Sequence, residues 1–211
     1  MARRAGSIAQ RIARIPFPLR GPRVDLVPAA LEQVPELVRL LNDPTISRWT
    51  SHVAYPYTRA HARTWLLRAR RERRQGSALY LSIIRRSDRA LVGGVGLHQV
   101  HEAAACAEIG YWLGRPFRGE GIATEAVDLL TRVGLRRLRL HRIEALVFPP
   151  NRASREVLRR CGFRYEGRIR DEIRKGRRWY TTLLFARLST DPPPRRRSSA
   201  AVRRTQLRRR R

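Results

Sequence analysis

The chain has 211 residues, 42% of them hydrophobic, with 46 Lys and Arg against 17 Asp and Glu, a formal net charge of +29. That length suits one domain with tails, the apolar content suffices for a core, and no apolar run approaches the ~20 residues a membrane span needs. Cys106 and Cys161 are not at metal-ligand spacing and no Cys or His cluster surrounds them, so the expectation is a reduced, cytoplasmic protein without a metal, its thiols acting as small apolar groups.

Residues 1–24 hold six arginines and no acid, with no continuous apolar segment. A secretory signal is therefore not expected. Between a transit peptide and a basic disordered arm, residues 1–21 read as the arm. "LEQVPELVRLLND" then sets Leu31, Val34, Val38 and Leu41 on one helical face. "TRAHARTWLLRARRERR" starts at a capping Thr58 and turns Ala62, Trp65, Leu66 and Ala69 inward, with arginines on a solvated face. Three strand-like runs follow at 78–84, 91–100 and 107–113, with connections short enough for an antiparallel meander. An amphipathic helix near 122–138 comes next, with Val127, Leu130, Gly134 and Leu138 on one side, and then a strand at 142–148. The helix in "NRASREVLRRCGF" ends at Gly162, a left-handed cap position. Two last strands fit "RYEGRI" and "WYTTLLFARL". The expected fold is a single mixed, mostly antiparallel α/β sheet with flanking helices, spanning 22–188. Residues 189–211, rich in proline and arginine, read as a disordered tail. Residues 191–211 hold nine arginines against Asp191, which leaves +15 for the body between 25 and 190. Every cation but Lys175 is arginine, a skew that genomic base composition explains as well as anion binding does.

The stretch "RPFRGEGIATEA", 115–126, lies between a strand and a helix. A helix N-terminus presents unpaired N–H groups and the positive end of its dipole. Gly119 and Gly121 let an anion approach the backbone. The loop is thus a phosphate cradle or a plain glycine-rich connection. It is neither G-x-G-x-x-G nor a P-loop.

"R118-G119-E120-G121-I122-A123" resembles the R/Q-x-x-G-x-G/A loop of the GNAT superfamily of N-acyltransferases. "GGVGLH", "AEIGYWLGRPFRGEGIATEA", "HRIEALVFPPNRASREVLRRCGFRYEG" and "GRRWYTTLLFARL" are similar, in order and spacing, to its RimJ/RimL-type branch, which includes ribosomal-protein N-terminal acetyltransferases. The resemblance covers about 22–188. It implies acetyl-CoA as donor. Arg118, Gly119, Glu120, Gly121, Ile122, Ala123 and Thr124 would form the pyrophosphate loop. The backbone near Trp112 and Leu113 would meet the pantetheine arm, in a gap between the strand at 107–113 and residues 146–148. Asn151 of the N-x-x-S motif would face the cofactor, or cap the following helix, or both.

Acetyl transfer needs a neutral amine, donors for the developing oxyanion and a thiolate that can leave. The amine attacks directly in this family, so no Ser-His-Asp arrangement is expected. Strand alternation puts Glu108, Gly110 and Trp112 on one face and Ile109, Tyr111 and Leu113 on the other. Glu108 is the candidate base, and a paired structural Glu is the bland alternative. A backbone N–H near Tyr111 or Trp112 is the candidate oxyanion donor. Many family members carry a tyrosine acid seven residues after the Asn, where this chain has Leu158. Ser154 near the sulfur is the substitute, or no protein acid is used. His98 is a weaker candidate for base or substrate contact.

Three acceptor readings remain. A protein N-terminus, ribosomal-protein-like, suits the basic chain, whose tails could touch RNA without sequence preference. A small amine or antibiotic is the second. The third is a basic RNA- or DNA-binding protein with a vestigial acetyltransferase fold. Trp49, Tyr55 and Tyr57 are candidates for the acceptor side. Homodimers occur in the family.

Overall fold

The computed structural model describes residues 6–194. The remainder of the expected tail, 195–211, lies outside them. Eight strands form one sheet in the order β1-β2-β3-β4-β5-β6-β8-β7. They are β1 (Leu19–Arg20), β2 (Val24–Pro28), β3 (Leu79–Arg85), β4 (Leu91–His101), β5 (Cys106–Leu113), β6 (Arg142–Val147), β7 (Arg164–Lys175) and β8 (Arg178–Leu188). Every neighbouring pair is antiparallel except β5 and β6. The single parallel pair requires a crossover, and helix α5 (Ile122–Arg136) supplies it.

Two apolar layers hold the helices to the two faces. On one, Ile122, Val127 and Leu130 of α5 pack with Leu158 of α6 (Arg152–Arg160) against Leu97, Ile109 and Ile143. On the other, α2 (Val34–Leu41), α3 (Pro44–Trp49) and α4 (Arg59–Gln75) bury Leu37, Ile46 and Leu66. Each fully buried Leu or Ile contributes about 1.5–3 kcal/mol.

Three expectations need correction. The supposed disordered arm is folded from Ser7 onward. Ser7 caps helix α1 (Ile8–Ala13) in a reciprocal box with Gln10. Ile8, Ile12 and Ile15 recur at helical spacing and are buried in the main core. The carboxylate of Glu102 accepts from the Ile8 N–H at 2.9 Å, and Arg11 donates to the Leu138 carbonyl at 2.6 Å. The S-x-x-Q box and the isoleucine spacing carried this signal, and the arginines between them masked it. Second, the inward face of α2 is Val34, Leu37, Leu40 and Leu41. Leu31 is 42% exposed because 31–33 forms a tighter 3-10 turn, which shifts the phase of the helix behind it. Third, the short β1 and β2 extend the sheet beyond the six strands expected, with Leu19, Val24 and Leu26 buried. At the far end, Asp191 of the expected tail accepts from the Leu188 N–H at 2.9 Å and pairs with Arg164 at 3.3 Å.

Candidate active site

The site starts where two strands part. β5 and β6 are in register only at Cys106/Arg142, Ala107/Ile143 and Glu108/Glu144. Beyond Glu108 they diverge, which leaves the β6-facing edge of β5 without a ladder partner. The N–H of Gly114 donates to Val92 at 3.0 Å, in step with the Gly93/Leu113 register. Backbone groups alternate sides along a strand. Those of Trp112 and Gly110 therefore turn to β4, and those of Tyr111 and Leu113 turn to the gap. This narrows the expected choice between Tyr111 and Trp112 to the amide of Tyr111. The side chains alternate as expected: Trp112 packs with the α2–α4 layer, Ile109 and Tyr111 with the α5–α6 layer. A Cβ on Gly94 would meet the Trp112 indole at 2.6 Å, so this glycine of β4 admits that ring.

The chain then turns through 114–121 into α5. Gly119 and Gly121 sit at φ +86° and +79°, a region that disfavours any side chain. Gly121 caps α5 without a side-chain bond. The N–H groups of Ile122, Ala123 and Thr124 have no intrahelical acceptor, so the positive end of a 15-residue helix is bare. The first-turn carboxylate, Glu125, is spent elsewhere. It accepts from the N–H of Arg23 at 2.7 Å and of Val24 at 3.1 Å, and from Arg23 Nε at 2.9 Å, which staples α5 to the turn before β2. Arg118 folds back: Nε donates to the Leu113 carbonyl at 3.1 Å, and its two terminal nitrogens reach Thr45 Oγ1 at 2.9 Å and Asp43 Oδ2 at 3.0 Å. Asp43 is the N-cap of α3, so Arg118 ties the loop to the helices opposite.

A cleft of about 1430 Å³ runs from this loop through the gap to α4. It is lined by Trp112, Leu113, Arg118, Gly119, Gly121, Ala123, Thr124 and Asn151 of the expected cofactor residues, and by Glu108 and Ser154. Glu120 and Ile122 do not line it. The Ile122 side chain is core, 2% exposed, and Glu120 points to solvent with its carbonyl taken by Arg23 at 2.7 Å. Only their backbone could belong to a cradle. An uncapped helix end, two glycines and a one-sided strand edge together fit a pyrophosphate with an amide-bearing arm.

Asn151 Oδ1 accepts from the Ser154 N–H at 3.1 Å, so this residue caps α6. Ser154 Oγ lies 2.8 Å from the hydroxyl of Tyr111, which also donates to the Ser154 carbonyl at 3.1 Å. Burial, only partly opposed by the Ser154 bond, drives the Tyr111 phenol well above its ordinary range. Alternation placed Tyr111 opposite Glu108, but nothing local in the sequence named its partner 43 residues away. Leu158 is fully buried core. Cys161 Sγ donates to the Thr124 carbonyl at 3.3 Å, and burial pushes its thiol up to about 12, so it is not a nucleophile near neutrality.

Glu108 sits at the last paired position before the gap. His98 is its partner on β4 and Glu144 on β6. Burial, then the charges of Glu144 and Glu172, raise the Glu108 carboxyl to about 7. Burial, then the neighbouring His52 and Arg68, lower His98 to about 4. Their 3.9 Å approach is thus no ion pair at neutral pH, since His98 is uncharged there. His98 stacks on Tyr80, whose ring meets Trp65 edge-on. Trp49 and Tyr57 line this half of the cleft. Tyr55, expected beside them, is 55% exposed and outside it. Glu172, placed by a break in the β7–β8 register next to Asp171 at φ +51°, is among the lining residues sequence reading missed, with Arg68 and Tyr80. A bulge of this kind leaves no clear sequence mark.

The family model described as an acetyltransferase (GNAT) domain matches residues 23–164. Over 157 residues the chain is 34% identical to an uncharacterized N-acetyltransferase, p20, of Bacillus licheniformis, covering 74% of this chain and 87% of p20. It is 39% identical over 113 residues to the probable N-acetyltransferase YjcK of Bacillus subtilis, covering 53% of this chain and 62% of YjcK. It is 30% identical over 120 residues to the [ribosomal protein uS5]-alanine N-acetyltransferase of Escherichia coli, covering 56% of this chain and 61% of that enzyme. The chain thus spans less than two thirds of these last two relatives. Among solved structures it is similar to Mycobacterium smegmatis RimJ in complex with CoA-disulfide, with 29% identity and a TM-score of 0.74, covering 88% of this chain and 90% of that one.

Proposed function

Because the chain belongs to the GNAT acetyltransferase family, with acetyl-CoA as donor, we propose that it acetylates the α-amine of a protein, of the ribosomal-protein kind, with Glu108 as the base. The observation that carries this is the position of Glu108. It is the only acid among the expected site residues that faces the cleft beside the strand gap, and burial, reinforced by Glu144 and Glu172, raises it to about 7. An α-ammonium has a pKa of about 7.7–8.0, against about 10.4 for lysine. A carboxylate near 7 removes a proton from the first at almost no cost, and from the second against more than three units. The E. coli relative is, by its name, an N-acetyltransferase of an alanine of ribosomal protein uS5. The cleft's volume of about 1430 Å³ also suits a chain end beside the donor.

The thioester of acetyl-CoA supplies the acetyl group. Glu108 takes the proton of the α-ammonium and passes it to solvent, and the neutral amine then attacks the carbonyl carbon to form the C–N bond. The Tyr111 N–H, free on the gap side, donates to the oxygen as charge builds there. The C–S bond breaks and the thiolate leaves. Ser154, with its hydroxyl held by Tyr111, donates a hydrogen bond to the departing sulfur, which takes up the second proton shed by the nitrogen. Arg118 keeps loop and acceptor helices in one frame.

A panel of amines with acetyl-CoA tests the reading. It should contain a ribosomal-protein N-terminal peptide, the same peptide with a blocked α-amine and a free lysine, and a polyamine, with products mapped by mass spectrometry. Acetylation of the free N-terminus alone is expected. Acetylation of the polyamine in preference to both peptides would replace this reading with a small-amine acceptor.

A further inference from the structure

Helical spacing divides α4 into three strips. Ala62, Leu66 and Ala69 are buried. His61, Trp65, Arg68 and Glu72 line the acceptor half of the cleft. The third strip carries Arg59, Arg63, Arg70, Arg71 and Arg74, all exposed, around Leu67, which is 56% exposed. Glu72 is the one carboxylate of the helix, and it is spent on Arg68 at 3.0 Å. None of the five strip arginines has an ion-pair partner among the described residues, and residues 1–5 and 195–211 contain no Asp or Glu that could supply one. Several other surface arginines are paired: Arg23 with Glu125, Arg142 with Glu144 and Glu166, Arg159 and Arg160 with Glu156.

The helix gains nothing from this arrangement. Arg59/Arg63 and Arg70/Arg74 are like charges one turn apart and repel. Arg59 also stands in the first turn, where the helix dipole disfavours a cation. The strip is therefore an uncompensated cationic line about 22 Å long, from fifteen steps of ~1.5 Å, running beside the mouth where the acceptor enters.

We propose that this strip docks on the phosphate backbone of RNA and so presents an RNA-bound acceptor protein to the adjacent cleft, an inference that rests on the protein α-amine reading. Charge complementarity carries it. Guanidinium forks suit phosphate oxygens, and a single-signed line suits a polyanion with no sequence to read. A membrane surface fits less well. An interfacial helix needs a broad apolar face, and this strip has Leu67 alone.

The test uses the full chain, a fluorescein-labelled poly(U) oligonucleotide, and a triple variant Arg63→Gln, Arg70→Gln, Arg74→Gln. A control of equal charge change, Arg136→Gln, Arg137→Gln, Arg139→Gln, lies at and just beyond the C-terminal end of α5, in the layer across the sheet from α4. Losing three contacts at ~0.7 each should flatten the slope of log K against log salt by about two for the strip variant and weaken RNA binding roughly tenfold or more at physiological salt, while the control stays within about twofold of the parent. Equal loss in both variants would overturn the proposal, because the charge would then act without a site. So would loss of binding to anionic phosphatidylglycerol vesicles, or to polyglutamate, with RNA binding unchanged. Acetylation of a free N-terminal peptide is read in parallel and should be unaltered by the strip variant. Absence of peptide acetylation in the parent chain would count against the α-amine acceptor and leave the RNA result to be read separately.

Discussion

The two ends of the cleft are built by different means. The donor end is one continuous stretch, 112–124, and almost all of its chemistry is backbone: a strand edge without a partner, two glycines at positive φ and the bare N-terminus of α5. The acceptor end is side chains from five separate elements, with Glu108 and His98 on adjacent strands, Trp65 on α4, Tyr80 on β3 and Glu172 on β7. A backbone site tolerates change in side chains but not in φ. A side-chain site tolerates neither loss nor displacement of its one titrating group. Substitutions at the two ends should therefore separate cleanly into donor affinity and turnover.

Glu108→Gln gives the largest effect. A positioned general base contributes about 10²–10⁴-fold, so kcat should fall by that factor while acetyl-CoA binding, read by calorimetry, stays as it was. The parent's kcat/KM should rise with pH through about 7, because the carboxylate is the active form. This acid limb should vanish from the residual activity of the variant. An unchanged limb would assign the titration to another group.

The same residue predicts a stability trade. Its carboxyl is raised from 4.5 to about 7 in the fold. A raised acid is harmless while protonated in both states, below 4.5. The penalty for ionising it builds between 4.5 and about 7 and is constant above. With 17% of the side chain exposed, the cost at pH 8 is about 1–3 kcal/mol. Glu108→Gln should therefore be more stable than the parent by that amount in denaturant melts at pH 8, and equal to it at pH 4. A variant less stable at pH 8 would mean that Glu108 holds the sheet together and is not a strained functional group.

At the donor end the expected losses are smaller and fall on affinity. Gly121→Val forces a β-branched side chain to φ +79° and its Cβ to within 3.3 Å of Arg23. A left-handed conformation costs an L-residue about 1–2 kcal/mol, so acetyl-CoA affinity should weaken roughly tenfold with the acceptor KM unchanged. Gly119→Ala meets nothing within 4 Å and should cost less, about fivefold, from its φ alone. If Gly119→Ala proved the worse of the two, the space above Gly119 would be the phosphate's own, and close approach would outweigh backbone strain.

This contrast also explains what the sequence made legible. Glycines between a strand and a helix are a local signal, and the loop, the β3–β4–β5 meander and the helix at 122–138 could be read from spacing alone. So could the face that Glu108 shares with Trp112. The α1 segment was legible too, through Ser7, Gln10 and the isoleucines, but net charge pointed the other way. What sequence does not carry is what long-range register creates. Glu144 lies beside Glu108 only because β5 and β6 pair in parallel over three positions, of which this is the last. Glu172 reaches the cleft through a bulge, and Arg118 finds Asp43 across 75 residues.

The smallest effect tests a contact of that long-range kind. The hydroxyl of Tyr111 holds Ser154 from β5, and its amide lies on the gap side, so in the proposed mechanism one residue would serve as oxyanion donor by its backbone and positioning residue by its side chain. Tyr111→Phe keeps the backbone and removes only the hydroxyl. The Ser154 Oγ then loses its 2.8 Å partner and regains rotamer freedom. If Ser154 steadies the leaving sulfur with a hydrogen bond, misplacing it costs only part of that step, because a thiol is acidic enough to leave as thiolate. A three- to tenfold fall in kcat is expected, about 1 kcal/mol, with both KM values steady. Ser154→Ala should fall by the same amount, and the double variant should fall no further, since both changes remove one function. Additive losses would mean that Tyr111 and Ser154 act separately. A full-activity Tyr111→Phe with an impaired Ser154→Ala would mean that the helix cap of Asn151 alone suffices to aim the serine.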